Sequence, residues 1–232
     1  MGGIADQLLD ELRAAADPSR APAMQAYMKS AMPYLGVPTM PLRAACKRVF
    51  DGLGYPSAEA WRADVMTLWR GARFREQRYA AIELTGIAAA RPFQRIDSLA
   101  MYEEMVLTGA WWDFIDPIAT QRLWAILRND PAPMKQAMLD WAQGPDLWKR
   151  RSAILCQLHA RAATDLELLH ACIEPSLDSR EFFLRKAIGW ALRQYARTDP
   201  AWVRRYVSAH GDRLSNLSKR EALKRIGAAE PA

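Results

Sequence analysis

Five stretches of this chain can be laid over one another: RYAAIEL from Arg78, DPIATQRLW from Asp116, RSAILCQL from Arg151, KAIGWAL from Lys186 and REALKRI from Arg220. Their starts are 38, 35, 35 and 34 residues apart. Each begins with a charged residue and continues into a small, apolar run. A recurrence of this length, with two helices per unit, is the signature of stacked helical repeats, because one helix pair cannot bury its apolar face alone. The expected fold is therefore all-α: an α-solenoid forming one domain over 1–232, with inner helices lining a concave basic face.

The rest of the sequence agrees with that constraint. Apolar residues recur at helical spacing in MTLWRGARFREQRYAAIELTGIAAA and in EFFLRKAIGWALRQYAR. Alternating strand patterns and Asn-Gly or Asp-Gly hairpin signals are absent. Short Pro- and Asp-containing breaks such as YPSAEA, RNDPAPM and RTDPAW divide the chain into roughly a dozen helices. Ser57, Asp178 and Asp199 are expected N-caps, and Pro200 suits a first helical turn. Hydrophobic residues make up 50% and charged residues 25%, which is a folded composition. Lys+Arg 32 against Asp+Glu 26 leaves +6, a surplus that permits a polyanionic partner without proving one. Cys46, Cys156 and Cys172 have no CxxC spacing and read as buried, reduced thiols of a cytosolic protein. The N-terminus lacks the pattern of a secretory signal, and no stretch is apolar enough to span a membrane.

The aligned leading positions set up the chemistry. Four are cations (Arg78, Arg151, Lys186, Arg220) and one is Asp116. If the inner helices share a groove, it is a positive track broken by one carboxylate. The plainer reading is that Asp116 and Pro117 are an N-cap and first-turn pair. Trp112 lies four residues before Asp116, and Trp190 four after Lys186, one helical turn from the aligned positions in each case. Most of the nine tryptophans must be core; Trp61, Trp69, Trp124, Trp141 and Trp202 read that way, and core packing also competes as an account of Trp111, Trp112 and Trp190. Pro117 is expected to bend the turn that carries Asp116. A carboxylate between indole faces suits a reaction that develops positive charge, such as cleavage of an N-glycosidic bond.

Other chemistries lack their residues. There is no phosphate-binding GxxxxGK[ST], no GxGxxG, no HExxH and no deaminase HxE…PCxxC signature. His159, His170 and His210 are scattered, and His159 and His170 read as surface or satisfied helix residues. No metal and no cofactor are expected.

At this point the sequence resembles the AlkD-type DNA alkylation repair proteins, glycosylases built from HEAT-like repeats. The resemblance is carried by AYMKSAMPYLGVPT (26–39), WWDFID (111–116), LWKRRSAILCQL (147–158), EFFLRKAIGWALRQYA (181–196) and LSKREALKRI (217–226). It implies that Trp112 and Trp190 line the site beside the damaged nucleotide and that Asp116 is the catalytic carboxylate. Arg151 would grip the DNA backbone near the lesion, with Tyr27 and Arg193 at the edge of the groove. Thr39 and Arg43 are further DNA contacts, although GVPTMPLRAA departs from the family pattern in having both Pro38 and Pro41. Arg78, Lys186, Lys219 and Arg220 complete the expected DNA-binding set. Asp113 is read as a cap or structural partner. The implied activity is metal-free hydrolytic excision of N3- and N7-alkylated purines from duplex DNA, without a lyase step, by a cytoplasmic monomer. The competing expectation is a non-catalytic helical-repeat module that binds DNA or an acidic protein. An RNA-reading solenoid would need polar readers repeated in every unit, which the sequence lacks.

Overall fold

A computed structural model describes residues 3–224 and 226. Met1, Gly2 and Arg225, the last within the LSKREALKRI repeat, lie outside the described residues, as do residues 227–232. The described residues contain helices and turns and no strand. No helix is long and apolar enough to cross a membrane. The chain packs as two compact units, residues 1–94 and 95–232.

The first unit holds α1 (Ile4–Ala14), α2 (Ala21–Met28), α3 (Thr39–Phe50), α4 (Ala58–Arg70) and α5 (Arg75–Leu84). Helices α1, α3, α4 and α5 pack together over Leu8, Leu12, Trp61, Leu68, Trp69 and Leu84. The Ser57 hydroxyl accepts from Ala60 N, capping α4 as expected. The loop before α3 is organised by a buried carboxylate: Glu76 accepts backbone N–H groups of Leu35, Gly36 and Val37 at 2.9–3.1 Å. Gly36 sits at φ 86°, and a Cβ there would stand 2.0 Å from the Asp17 carbonyl oxygen. The turn therefore admits no side chain at this position. Pro38 is the N-cap of α3, so the unusual prolines flank a helix start that needs few N–H donors.

The second unit runs from α6 (Leu99–Gly109) through α7 (Trp112–Pro117), α8 (Trp124–Asn129), α9 (Pro131–Gln143), α10 (Leu147–Leu155), α11 (Leu166–Ile173), α12 (Phe182–Tyr195) and α13 (Pro200–Ala209) to α14 (Asn216–Leu223). Here α10 packs on α7, α9 and α12, and α12 packs on α14. Tyr102, Met105, Phe114, Ile115, Ile118 and Leu123 are fully buried. Asp199 caps α13 by accepting from Trp202 N at 2.8 Å, and Pro200 opens that helix as expected. Asp178 does not cap a helix. Glu181 stands at the N-cap of α12, and Asp178 is drawn instead to Arg213 at 2.8 Å. Trp61, Trp69 and Trp141 are buried, whereas Trp124 and Trp202 are only half-buried. Trp202 uses its face to stack on Tyr206, with centroids 5.0 Å apart.

Pro117 does not end its helix. Residues Ile118–Leu123 form a wider π-type turn that carries α7 into α8, a known response to a broken i→i−4 ladder. The Thr120 hydroxyl donates to the Asp116 carbonyl at 2.8 Å inside this turn.

Between α12 and α14 the backbones approach closely at Gly189. An added Cβ would lie 2.6 Å from Glu221 Cβ and 3.0 Å from the Ser218 carbonyl oxygen. We expect Gly189→Ala to lower stability by about 1–3 kcal/mol, because the clash lies on rigid atoms rather than a flexible chain end. Urea unfolding measures this. A loss no larger than that of an exposed helix substitution would show that α14 moves aside freely.

Candidate active site

The WWDFID segment starts with Trp111 as N-cap and Trp112 as the first residue of α7. Phe114 and Ile115 bury towards the core, which fixes the helix rotation and turns Asp116 towards α10. Asp116 is thus inside the helix, not at its N-cap, and the plainer sequence reading of Asp116–Pro117 does not hold. On α10, the Asp146 carboxylate accepts from Trp148 N and Lys149 N at 2.9 and 2.8 Å and fixes the helix start. Arg151 follows one turn later.

These two helices meet through a two-pronged ion pair. Arg151 Nε donates to Asp116 Oδ1 at 2.8 Å, and Nη2 donates to Oδ2 at 2.9 Å. Nη1 donates to the Phe183 carbonyl of α12 at 2.6 Å. The side chains of Arg151 and Asp116 are 5% and 15% exposed, so the pair is largely screened from water. The same guanidinium lies 5.9 Å from the Phe183 ring centroid. Behind it, Trp111, Trp148 and Phe183 form an aromatic cluster with centroids 5.0–6.0 Å apart. Trp111 Nε1 is buried there without a hydrogen-bond partner.

Burial dominates the electrostatics of Asp116 and raises its pKa. The Arg151 guanidinium opposes the rise, and the nearby Asp113 charge adds to it. A carboxylate raised in this way is a stronger base than an ordinary surface aspartate. Asp113 stays in the first turn, where its side chain accepts from Phe114 N at 3.1 Å.

Trp112 lies one turn before Asp116 on α7 and is half-buried. Trp190, also half-buried, lies two turns beyond Phe183 on α12. The two indoles therefore stand on the two helices that Arg151 joins.

The other expected DNA contacts have varied surroundings. Lys186 and Arg193 of α12 both donate to Glu221 of α14, Lys186 at 3.0 Å. Hydrogen bonding from Lys186 is the largest influence holding Glu221 below its ordinary pKa. Lys219 is half-buried and Arg220 exposed, and neither has an ion-pair partner among the described residues. In the first unit, Tyr27 is 75% exposed on α2, and Thr39 is exposed at the start of α3. Arg43 pairs with Glu83 at 3.2 Å. Arg78 is half-buried with its guanidinium 4.7 Å from the Trp69 ring centroid, and burial lowers its pKa. The expected row of free cations is thus largely a set of engaged ones: Arg151 faces Asp116, and Lys186 faces Glu221. Sequence reading missed Glu221 and Phe183. Glu221 carries a signal, since it follows Lys186 by 35 residues, the repeat length. Phe183 contributes a backbone oxygen, which no side-chain pattern reveals.

Removing Arg151 should strand a buried charge. We expect Arg151→Met to cost on the order of 3–5 kcal/mol at neutral pH. The loss should shrink in acid, as Asp116 takes up a proton and no longer needs a cation. Urea unfolding at two pH values measures both. A pH-independent loss would assign the effect to packing alone.

A family model described as DNA alkylation repair enzyme matches residues 8–226. A solved structure described as a predicted DNA alkylation repair enzyme from Enterococcus faecalis is similar with a TM-score of 0.83 and 27% identity. That match covers 92% of this chain and 98% of the other. No curated protein sequence matches the chain.

Proposed function

The chain belongs to the family of DNA alkylation repair enzymes, and on that premise we propose that it is a monofunctional DNA glycosylase of base excision repair. Its substrates are cationic N3- and N7-alkylated purines in duplex DNA. The observation that carries the reading is the largely buried Asp116 carboxylate, gripped on both oxygens by Arg151 and still 15% exposed.

The bond between the sugar and the alkylated base breaks with its electron pair leaving on the base, which becomes neutral. Positive charge develops on the deoxyribose, where Asp116 and the indole faces of Trp112 and Trp190 stabilise it. Water adds to the sugar carbon and gives its proton to Asp116, producing free base and an abasic site. Arg151 fixes the direction of the carboxylate. Two of its five N–H groups remain after its bonds to Asp116 and Phe183, and they serve a backbone phosphate only where DNA enters beside the pair, since the side chain is 5% exposed. Lys219 and Arg220 reach phosphates directly, whereas Lys186 and Arg193 share theirs with Glu221. Tyr27, Thr39, Arg43 and Arg78 provide contacts from the first unit. The protein acts as a monomer in the cytosol or nucleoid, and the excision step at Asp116 needs neither metal nor cofactor.

The direct test is release of free N7-methylguanine from alkylated duplex DNA. Asp116→Asn should lower the excision rate about a hundredfold or more while DNA binding persists, with circular dichroism checking the fold. Undiminished excision overturns the assignment and favours a non-catalytic DNA-binding module.

The pH profile adds a second test. The working form is the carboxylate, so excision is present above the Asp116 pKa and lost as pH falls through it. Because that pKa is raised, the acid limb should lie above the value of an ordinary aspartate, about 3.9. Asp113→Asn removes a charge that raises it, so the limb should move to lower pH. A limb that stays put or moves upward would detach it from Asp116.

A further inference from the structure

His170 and His210, 40 residues apart in sequence, come together in the second unit with ring centroids 5.3 Å apart. Glu174 joins them one turn after His170, its Oε2 4.0 Å from His170 Nε2. One ligating atom from each of the three residues lies within 4.8 Å of the others. We propose that His170, Glu174 and His210 form a binding site for a borderline divalent metal ion of the Zn2+ type, a clamp between α11 and the C-terminal end of α13.

The donor chemistry selects the ion class. Two imidazoles and one carboxylate suit Zn2+ and its transition-metal neighbours. Mg2+ and Ca2+ prefer all-oxygen surroundings. The tautomers are arranged to match. His210 Nδ1 lies 2.9 Å from the Tyr206 carbonyl oxygen, so that nitrogen must donate and Nε2 keeps its lone pair. His170 Nδ1 lies 3.1 Å from the Tyr206 hydroxyl, which likewise leaves Nε2 for a metal when Nδ1 donates. Tyr206 is thus the outer support for both rings. His210 stacks on it at 4.2 Å, and His170 meets it edge-on at 5.7 Å.

The charges also allow a cation. Arg213 binds Glu174 through Oε1 and Asp178 through Oδ2. Two carboxylates share one guanidinium, which leaves one negative charge in excess and Glu174 Oε2 facing His170. With Zn–N and Zn–O bonds near 2.0–2.2 Å, tetrahedral ligand atoms stand about 3.3–3.5 Å apart. An outermost separation of 4.8 Å must therefore close by about 1.3–1.5 Å, within the reach of half-exposed side chains that can change rotamer. Water completes the fourth position. None of these residues belongs to the Asp116 site, and the inference does not rest on the glycosylase reading.

The test is calorimetric titration of the full chain with ZnCl2, followed by thermal unfolding. One ion per chain is expected, with a rise of several degrees in Tm at hundredfold excess over Kd and no rise with MgCl2. His170→Gln and His210→Gln should each weaken binding at least tenfold. If either variant fails to fold, Co2+ added to the wild-type chain serves instead, with NMR line broadening expected to centre on residues 170, 174 and 210. No zinc-dependent rise in Tm, unchanged binding in both folded variants, or broadening centred elsewhere overturns the proposal.

Discussion

The second unit is organised around one guanidinium. Arg151 spends two donors on the Asp116 carboxylate of α7 and a third on the Phe183 carbonyl of α12. Three helices that share little sequence are thereby held at a common point. In a nearly dry setting such a pair adds less to net stability than its short distances suggest, because both ions lose their water. Its value is geometric. The carboxylate is thereby held in one orientation.

The same pair explains why a basic chain places aspartate beside tryptophan. Phe114 and Ile115 set the rotation of α7, Phe183 meets the Arg151 guanidinium and packs with Trp111 and Trp148, and Trp112 and Trp190 stand half-buried on the flanking helices. Aromatic bulk excludes water and the cation keeps the carboxylate ionisable. The site therefore holds a base of raised pKa that still has a charge partner. A lone buried aspartate would simply stay protonated.

Much of this was legible from the repeat length. Asp116–Arg151, Lys186–Glu221, Arg95–Asp130 and Asp178–Arg213 are all ion pairs separated by 35 residues. Residues one repeat apart face each other across stacked helices, so opposite charges at that interval find each other. Aligning the leading positions puts Asp116 and Arg151 at equivalent places on neighbouring repeats but does not show that they pair, and reading the cations as a free track overlooks their carboxylate partners, Asp116 for Arg151 and Glu221 for Lys186. Asp178 was taken for a cap because local spacing favoured it, and the distant Arg213 won through a charge-assisted bond. The His170–His210 meeting was hidden for a different reason. Their interval of 40 does not match the repeat, and Tyr206, which gathers them, carries no motif. The Phe183 carbonyl was beyond any side-chain pattern.

The wide turn at Ile118–Leu123 has a bearing on how this sequence can vary. A π-type turn holds one more residue than an α-turn, and each helical residue sweeps about 100°. Loss of a single residue between 118 and 123 would let the turn tighten to an ordinary α-turn, and the tightening would offset the missing sweep, so that Ile126 and Leu127 kept facing the core and Asp116 stayed aimed at Arg151. The stretch is therefore held by its side chains more than by its length: Ile118, Ala119 and Leu123 are buried and leave little room for exchange, whereas one residue fewer would still deliver the chain to α8 with the carboxylate in place.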